Sequence, residues 1–208
     1  MEHHDDYRID SVAQLQALIG EPNPLTPKKV FTALDDTAIE FIRRSPFIAL
    51  ATADAEGNQD CSPKGDGPGF VAVENSTTLL IPERKGNRLM FGLRNILSNP
   101  QVGIIFLVPG TNETFRVNGT AELTNDPAVL GRLVARGAPA LLAIRVRVRE
   151  CFFHCAKAFL RSQLWNSAAW LEHKPISFGK ILAAKIGAGD DVARQVDQAI
   201  ELDYKNNL

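Results

Sequence analysis

The chain has 208 residues, 45% of them hydrophobic and 23% charged, a globular composition long enough to bury a full core. Lysine and arginine total 23 against 24 for aspartate and glutamate, so the net charge of −1 gives no overall field to draw in nucleic acid or an acidic membrane. No apolar run approaches the roughly 18 residues of a membrane span, the start MEHHDDYRID is unlike a signal peptide, and three cysteines do not make a disulfide framework. A cytoplasmic protein with reduced thiols, binding neither nucleic acid nor membrane, is expected.

SVAQLQALIG carries apolar residues at helical spacing and ends on Gly20, and DDTAIEFIRRS reads as a second helix, capped by Asp35 or Asp36 and stopped by Pro46. From Phe47 the texture turns to short strands, PFIALAT, QDCSPK, GFVAV and TTLLIP, with DAEGN as the turn between the first two. GNRLMFGLRNILSNP returns to helical period from about Asn87 to Ser98, with Leu89, Leu93, Ile96 and Leu97 on one face. QVGIIFLV is a nearly continuous apolar strand, and TFRVNGTAEL alternates, with Phe115, Val117, Ala121 and Leu123 to one side and Arg116, Asn118, Thr120 and Glu122 to the other. DPAVLGRLVARG reads as a helix from an Asp126 cap to Gly137, and ALLAIRVRVRE as a last strand with Arg145, Arg147 and Arg149 on a wet face. CFFHCAKAFLRSQLW and DVARQVDQAIELDYKNNL both read as helices. Short strands with hairpin-like neighbours and intermittent helices predict a mainly β chain with α additions, an antiparallel barrel with flanking helices. With no repeat and no low-complexity linker, residues 1–208 read as one domain, with N-terminal helices over about 10–45 and C-terminal helices over about 152–205.

The stretch SPKGDGPGF, residues 62–70, places three glycines and two prolines between two strands. Either the chain simply turns there, or its backbone comes close to something that side chains would exclude. IPERKGNRL crowds Arg84, Lys85 and Arg88 at the predicted start of a helix, where the backbone dipole already favours negative charge. Cations there call for an anion, and together with free backbone N–H groups they make a phosphate site, although RKGNR alone fits a solvated basic turn as well. As a helix, CFFHCAKAFLRSQLW gathers His154, Lys157, Arg161 and Trp165 on its polar side, which suits a ligand or partner contact and equally an ordinary surface. Cys151, His154 and Cys155 lack a second ligand pair at zinc spacing, so no metal is expected. His3 and His4 are expected to face solvent, Cys61 has no activating base nearby in sequence, and no Ser-His-Asp order or Walker motif is present. No catalytic side chain is singled out.

The succession SPFIALAT, GNQDCSPKGDGPGF, TLLIPERKGNRLMFGLRNILSNPQVGIIFLVPGTNETFRVNGTAEL and CFFHCAKAFLRSQLW, over roughly residues 40–165, resembles the pyridoxamine 5′-phosphate oxidase superfamily. Within it the likeness is to the branch of FMN-dependent enzymes of unknown substrate. The resemblance implies a split β-barrel that forms a homodimer and holds FMN at the subunit interface. It implies that Arg84 and Lys85 stand where an Arg-Lys pair binds the FMN phosphate, with Asn87 and Arg88 beside them. The strand DCSPKG would run along the flavin, with Lys64 at its end, Ser62 and Pro63 adjacent, and the glycine-rich loop letting the chain leave the ring without bulky side chains. Arg161 and Trp165 are expected near the flavin site of the neighbouring subunit. The C-terminal Trp and Arg-containing ending that serve pyridoxamine phosphate oxidase itself have no convincing match in DVARQVDQAIELDYKNNL, so vitamin B6 is not carried over as the substrate. The function implied is an FMN-dependent oxidoreductase acting on an unknown small molecule; the alternative is a flavin-binding module for sequestration or sensing without turnover.

Overall fold

Seven strands form one antiparallel sheet in the computed structural model, which describes residues 7–207 and so leaves His3 and His4 outside the described residues. The strands are β1 (Phe47–Ala53), β2 (Gln59–Gly65), β3 (Ala72–Asn75), β4 (Thr78–Glu83), β5 (Gln101–Leu107), β6 (Thr114–Thr124) and β7 (Leu142–His154). Their order is β2-β1-β5-β6-β7-β4-β3. Helices α1 (Val12–Ile19) and α2 (Asp36–Arg44) precede the sheet, α3 (Phe91–Ser98) and α4 (Pro127–Leu130) interrupt it, and α5 (Lys157–Ser162), α6 (Phe178–Ile186) and α7 (Asp190–Asn206) follow. Among the described residues no helix is long and apolar enough to cross a membrane.

The sheet curls until its two ends face each other. Ile48 and Leu50 of β1 share one core with Ile104 and Phe106 of β5, Val117 of β6, Ile144 of β7 and Leu79 and Ile81 of β4, none more than 2% exposed. Across the open edge, Lys64 at the end of β2 meets Glu83 at the end of β4, although four strands separate β2 from β4 in the sheet. That is the split barrel. A bulge feeds the curl: Asn118 pairs with Glu150 and Gly119 with Val148, leaving Arg149 as the extra residue that sharpens the local twist. Helix α2 closes one mouth by burying Ala38, Phe41 and Ile42, with the Phe41 ring set edge-on to Phe153 at 5.4 Å. Asp35 caps it by accepting from the Ala38 N–H at 2.8 Å. A smaller cluster of Leu80, Val129, Leu133, Ala140 and Ala143 covers the outer face of β4 and β7, which is why β4 is buried on both sides.

Four elements differ from the sequence reading. The predicted helix from Asn87 begins only at Phe91, because Asn87 accepts the Leu89 N–H in a local turn and Arg88 and Met90 take left-handed backbone, with φ of 61° and 55°. DPAVLGRLVARG is helical for one turn only; Arg136 and Gly137 instead make a tight turn between Ala135 and Ala138, which exchange both backbone hydrogen bonds at 3.0 Å. CFFH belongs to β7, not to a helix, since β6 starts at Thr114 and requires a partner strand reaching His154; the helix that follows is only Lys157–Ser162. The third strand starts at Ala72 instead of Gly69, because Gly69 turns the chain with φ of 78°.

Candidate functional site

Alternation along β2 puts Asp60, Ser62 and Lys64 on one face and exposes Pro63 on the other. Lys64 Nζ donates to Glu83 Oε2 at 2.6 Å, which ties β2 to β4. Past Gly65 the chain folds back on the end of α2: Asp66 N–H donates to Pro46 O and Gly69 N–H to Ser45 O, both at 3.1 Å. A side chain at Gly69 would start 3.0 Å from the Arg43 carbonyl, and one at Gly65 would start 3.2 Å from the Pro46 carbonyl. Two of the three loop glycines therefore answer to backbone packing within the chain. Gly67 alone faces open space.

Asp66, nearly buried, organises the basic groups. Arg84 Nε donates to Asp66 Oδ2 at 3.2 Å, while Arg136 Nη2 and the Gly67 N–H donate to Asp66 Oδ1 at 3.3 and 2.9 Å. Two guanidinium groups thus share one carboxylate and leave one positive charge over. Arg84 Nη1 is enclosed and has no hydrogen-bond partner, so this guanidinium has donor capacity that the chain itself does not use. Lys85, Asn87 and Arg88 stand exposed on the loop between β4 and α3, where Lys85 and Arg88 add positive charge.

The N-terminus of α3 does not lie among Arg84, Lys85 and Arg88, as the sequence suggests. With the helix starting at Phe91, Arg84 and Lys85 lie six or more residues upstream of it. Asp60 also stands at its first turn: a side chain at Gly92 would begin 3.3 Å from Asp60 Oδ2, 3.5 Å from Thr52 Oγ1 and 3.7 Å from Ser62 Oγ. The positive end of the helix dipole faces the chain's own carboxylate. Ser62 consequently packs toward α3, and Asn95 Nδ2 fixes the contact by donating to Thr52 Oγ1 at 3.1 Å.

Arg161 shares a face of α5 with Lys157, four residues before it, but Trp165 does not, because α5 ends at Ser162 and Gln163 turns left-handed. Trp165 lies beyond it, stacks on Phe159 with ring centroids 5.8 Å apart, and donates Nε1–H to Thr111 O at 2.9 Å. Thr111 sits next to the end of the β6–β7 ladder where Thr114 pairs with His154, whereas Glu83 and Arg84 lie at the other end, where Glu83 pairs with Leu142.

Cys151 is buried against the Ala33 carbonyl, and burial, with Asp35 adding to it, pushes its thiol above the ordinary range, which disfavours the reactive thiolate. Among the described residues no group of three His, Cys, Asp or Glu stands placed to hold a metal ion. Sequence reasoning missed Asp66, Glu83, Asp60 and Arg136. Asp66 was in view within the glycine-rich loop, and Arg136 preceded a glycine, but only the fold shows that these distant segments meet.

The family model for pyridoxamine 5′-phosphate oxidase matches residues 34–155, from the start of α2 through the last strand. The chain belongs to this family. Among solved structures it is similar to HupZ of Group A Streptococcus, 19% identical over 58% of this chain and 93% of that one, with a TM-score of 0.48. It is similar to a pyridoxinephosphate oxidase family protein from Clostridium acetobutylicum, 13% identical over 58% of this chain and 90% of that one, TM-score 0.42. It is also similar to an FMN-binding protein from Syntrophomonas wolfei, 10% identical over 56% of this chain and 81% of that one, TM-score 0.43. No curated protein matches. The family segment stops before α5, α6 and α7, so the C-terminal helices lie outside the matched part of the pyridoxamine 5′-phosphate oxidase fold.

Proposed function

We propose that this chain is an FMN-dependent oxidoreductase of the pyridoxamine 5′-phosphate oxidase family, acting on a small molecule. The observation that carries the reading is Arg84: partly exposed, fixed by Asp66, and left with an unpartnered Nη1 at a cationic edge of the barrel. A phosphate dianion would accept charge-assisted hydrogen bonds from the exposed part of that guanidinium and from Lys85. In this reading Arg84 and Lys85 hold the FMN phosphate, with Asn87 and Arg88 beside them, and Lys64, Ser62 and Pro63 border the flavin along β2. In the same reading Arg161 and Trp165 come to the site from the second subunit of a homodimer. When bound, FMN supplies hydride or electron transfer, and the side chains bind and orient it.

The test is anaerobic reduction. Protein loaded with FMN is mixed with NADH or NADPH, and the flavin's visible absorbance is followed before and after oxygen is admitted. Bleaching by a reduced nicotinamide and recovery with oxygen is the expected result. Absorbance that only dithionite bleaches would overturn the oxidoreductase reading and leave a flavin-binding module.

A further inference from the structure

Between the glycine-rich loop and the segment that follows α4 lies an open pocket of about 600 Å³, a size suited to a small organic molecule. Arg84, Arg132 and Arg136 line it together with Asp66, and Phe70 and Val134 contribute apolar wall. Lys64, Lys85, Asn87 and Arg88, also assigned to FMN, do not line it. The pocket is thus a neighbour of the proposed cofactor site that shares Arg84 with it.

Charge and backbone both single out Arg136. Arg132 pairs with Glu74, and Glu74 with Arg145, so that group is balanced locally by Glu74 and Glu122. Arg84 and Arg136 share only Asp66, which leaves one positive charge at the pocket wall. Arg136 holds its guanidinium there from a backbone φ of 51°, a left-handed conformation that costs a non-glycine residue roughly 1 kcal/mol or more. The turn itself would form with less strain from glycine at that position. Its arginine is explained by what the guanidinium does.

We infer that this pocket binds the anionic group of an organic substrate, a carboxylate or phosphate ester, between Arg136 and Arg84, with the apolar body of the molecule against Phe70 and Val134. The inference deepens the FMN reading, on which it rests only for calling the ligand a substrate. Phenyl phosphate, an anion with an apolar body, is the probe, titrated calorimetrically into FMN-loaded and FMN-free protein. Binding to both forms is expected. In Arg136→Gly, which relieves the turn, phenyl phosphate binding to the FMN-loaded protein should weaken about ten-fold or more, while the unfolding midpoint holds or rises. Unaltered phenyl phosphate affinity in a folded Arg136→Gly overturns the inference. So does displacement of phenyl phosphate by FMN, since that makes the pocket the seat of the cofactor's own phosphate. Failure of the wild type to bind FMN would instead refute the cofactor reading, with phenyl phosphate binding still deciding the pocket.

Discussion

Asp66 shows how a single carboxylate can decide the character of a basic site. It holds two guanidinium groups in place and, by holding two, leaves the site cationic. Replacing it with Ala removes the partner of both arginines and should cost roughly 1–3 kcal/mol of stability, part of which added phosphate should restore by taking the vacated place between them. Urea unfolding with and without phosphate measures this; an unchanged midpoint would mean that the pair contributes nothing. The cysteines divide equally sharply. Cys61 and Cys155 are exposed and should react with a thiol reagent in the folded protein, while Cys151, buried and held protonated, should react only on unfolding. Three reactive thiols in the native state would contradict the packing of Cys151 against the Ala33 carbonyl. At this scale the sequence showed Arg84 and Lys85 as an anion site from residue type alone, but Asp66, 18 residues from Arg84, could not be read as its partner without the fold.

The elements that sequence periodicity located best are those whose own chain sets their ends. α1 runs from a Ser11 cap to Gly20, where its sequence ends it, and α2 from Asp35, one of its two candidate caps, to Ser45 just before Pro46. Those misread are set by partners distant in sequence: β7 extends through CFFH because β6 is there to pair with it, and α3 loses its first turn to left-handed residues in GNRLM. The C-terminal pair α6 and α7 is held by one close contact and one carboxylate. A side chain at Gly179 would collide with the Ala193 carbonyl, so Gly179→Val should separate the two helices and lower helical content while the barrel stays folded. Asp197 accepts from the Ser177 hydroxyl at 2.5 Å and from the Gly179 N–H at 2.7 Å, and these bonds, the hydroxyl first, hold its carboxyl below the usual range. Its contribution is present above the unfolded carboxylate value of about 3.9 and is lost as pH falls through the lower folded value. Acid should therefore loosen α6 and α7, and Asp197→Asn should remove that acid-dependent step. Circular dichroism on acidification checks it; an identical acid response in the variant would place the sensitivity elsewhere.

At the scale of the whole molecule, the barrel places β2 and β4 side by side and so turns two separate sequence motifs, SPKGD and ERKGN, into one cationic edge. The antiparallel barrel was legible from strand spacing, whereas the meeting of its edges was not, because Lys64–Glu83 and Asp66–Arg84 are products of curl. The functional reading places Arg161 and Trp165 at the site of a second copy, so the molecule is expected as a homodimer. Light scattering should then give about twice the chain mass of 22.8 kDa, and a flavin-loaded monomer would refute the shared site. The most direct measurement is a comparison of FMN and riboflavin, which differ by the phosphate alone, titrated into the wild type and into the Arg84→Ala, Lys85→Ala double variant. Loss of two charge-assisted contacts predicts FMN binding weaker by about two to four powers of ten, with riboflavin binding nearly unchanged. An undiminished preference for FMN in the folded variant would contradict the account and return this edge of the barrel to a solvated basic turn.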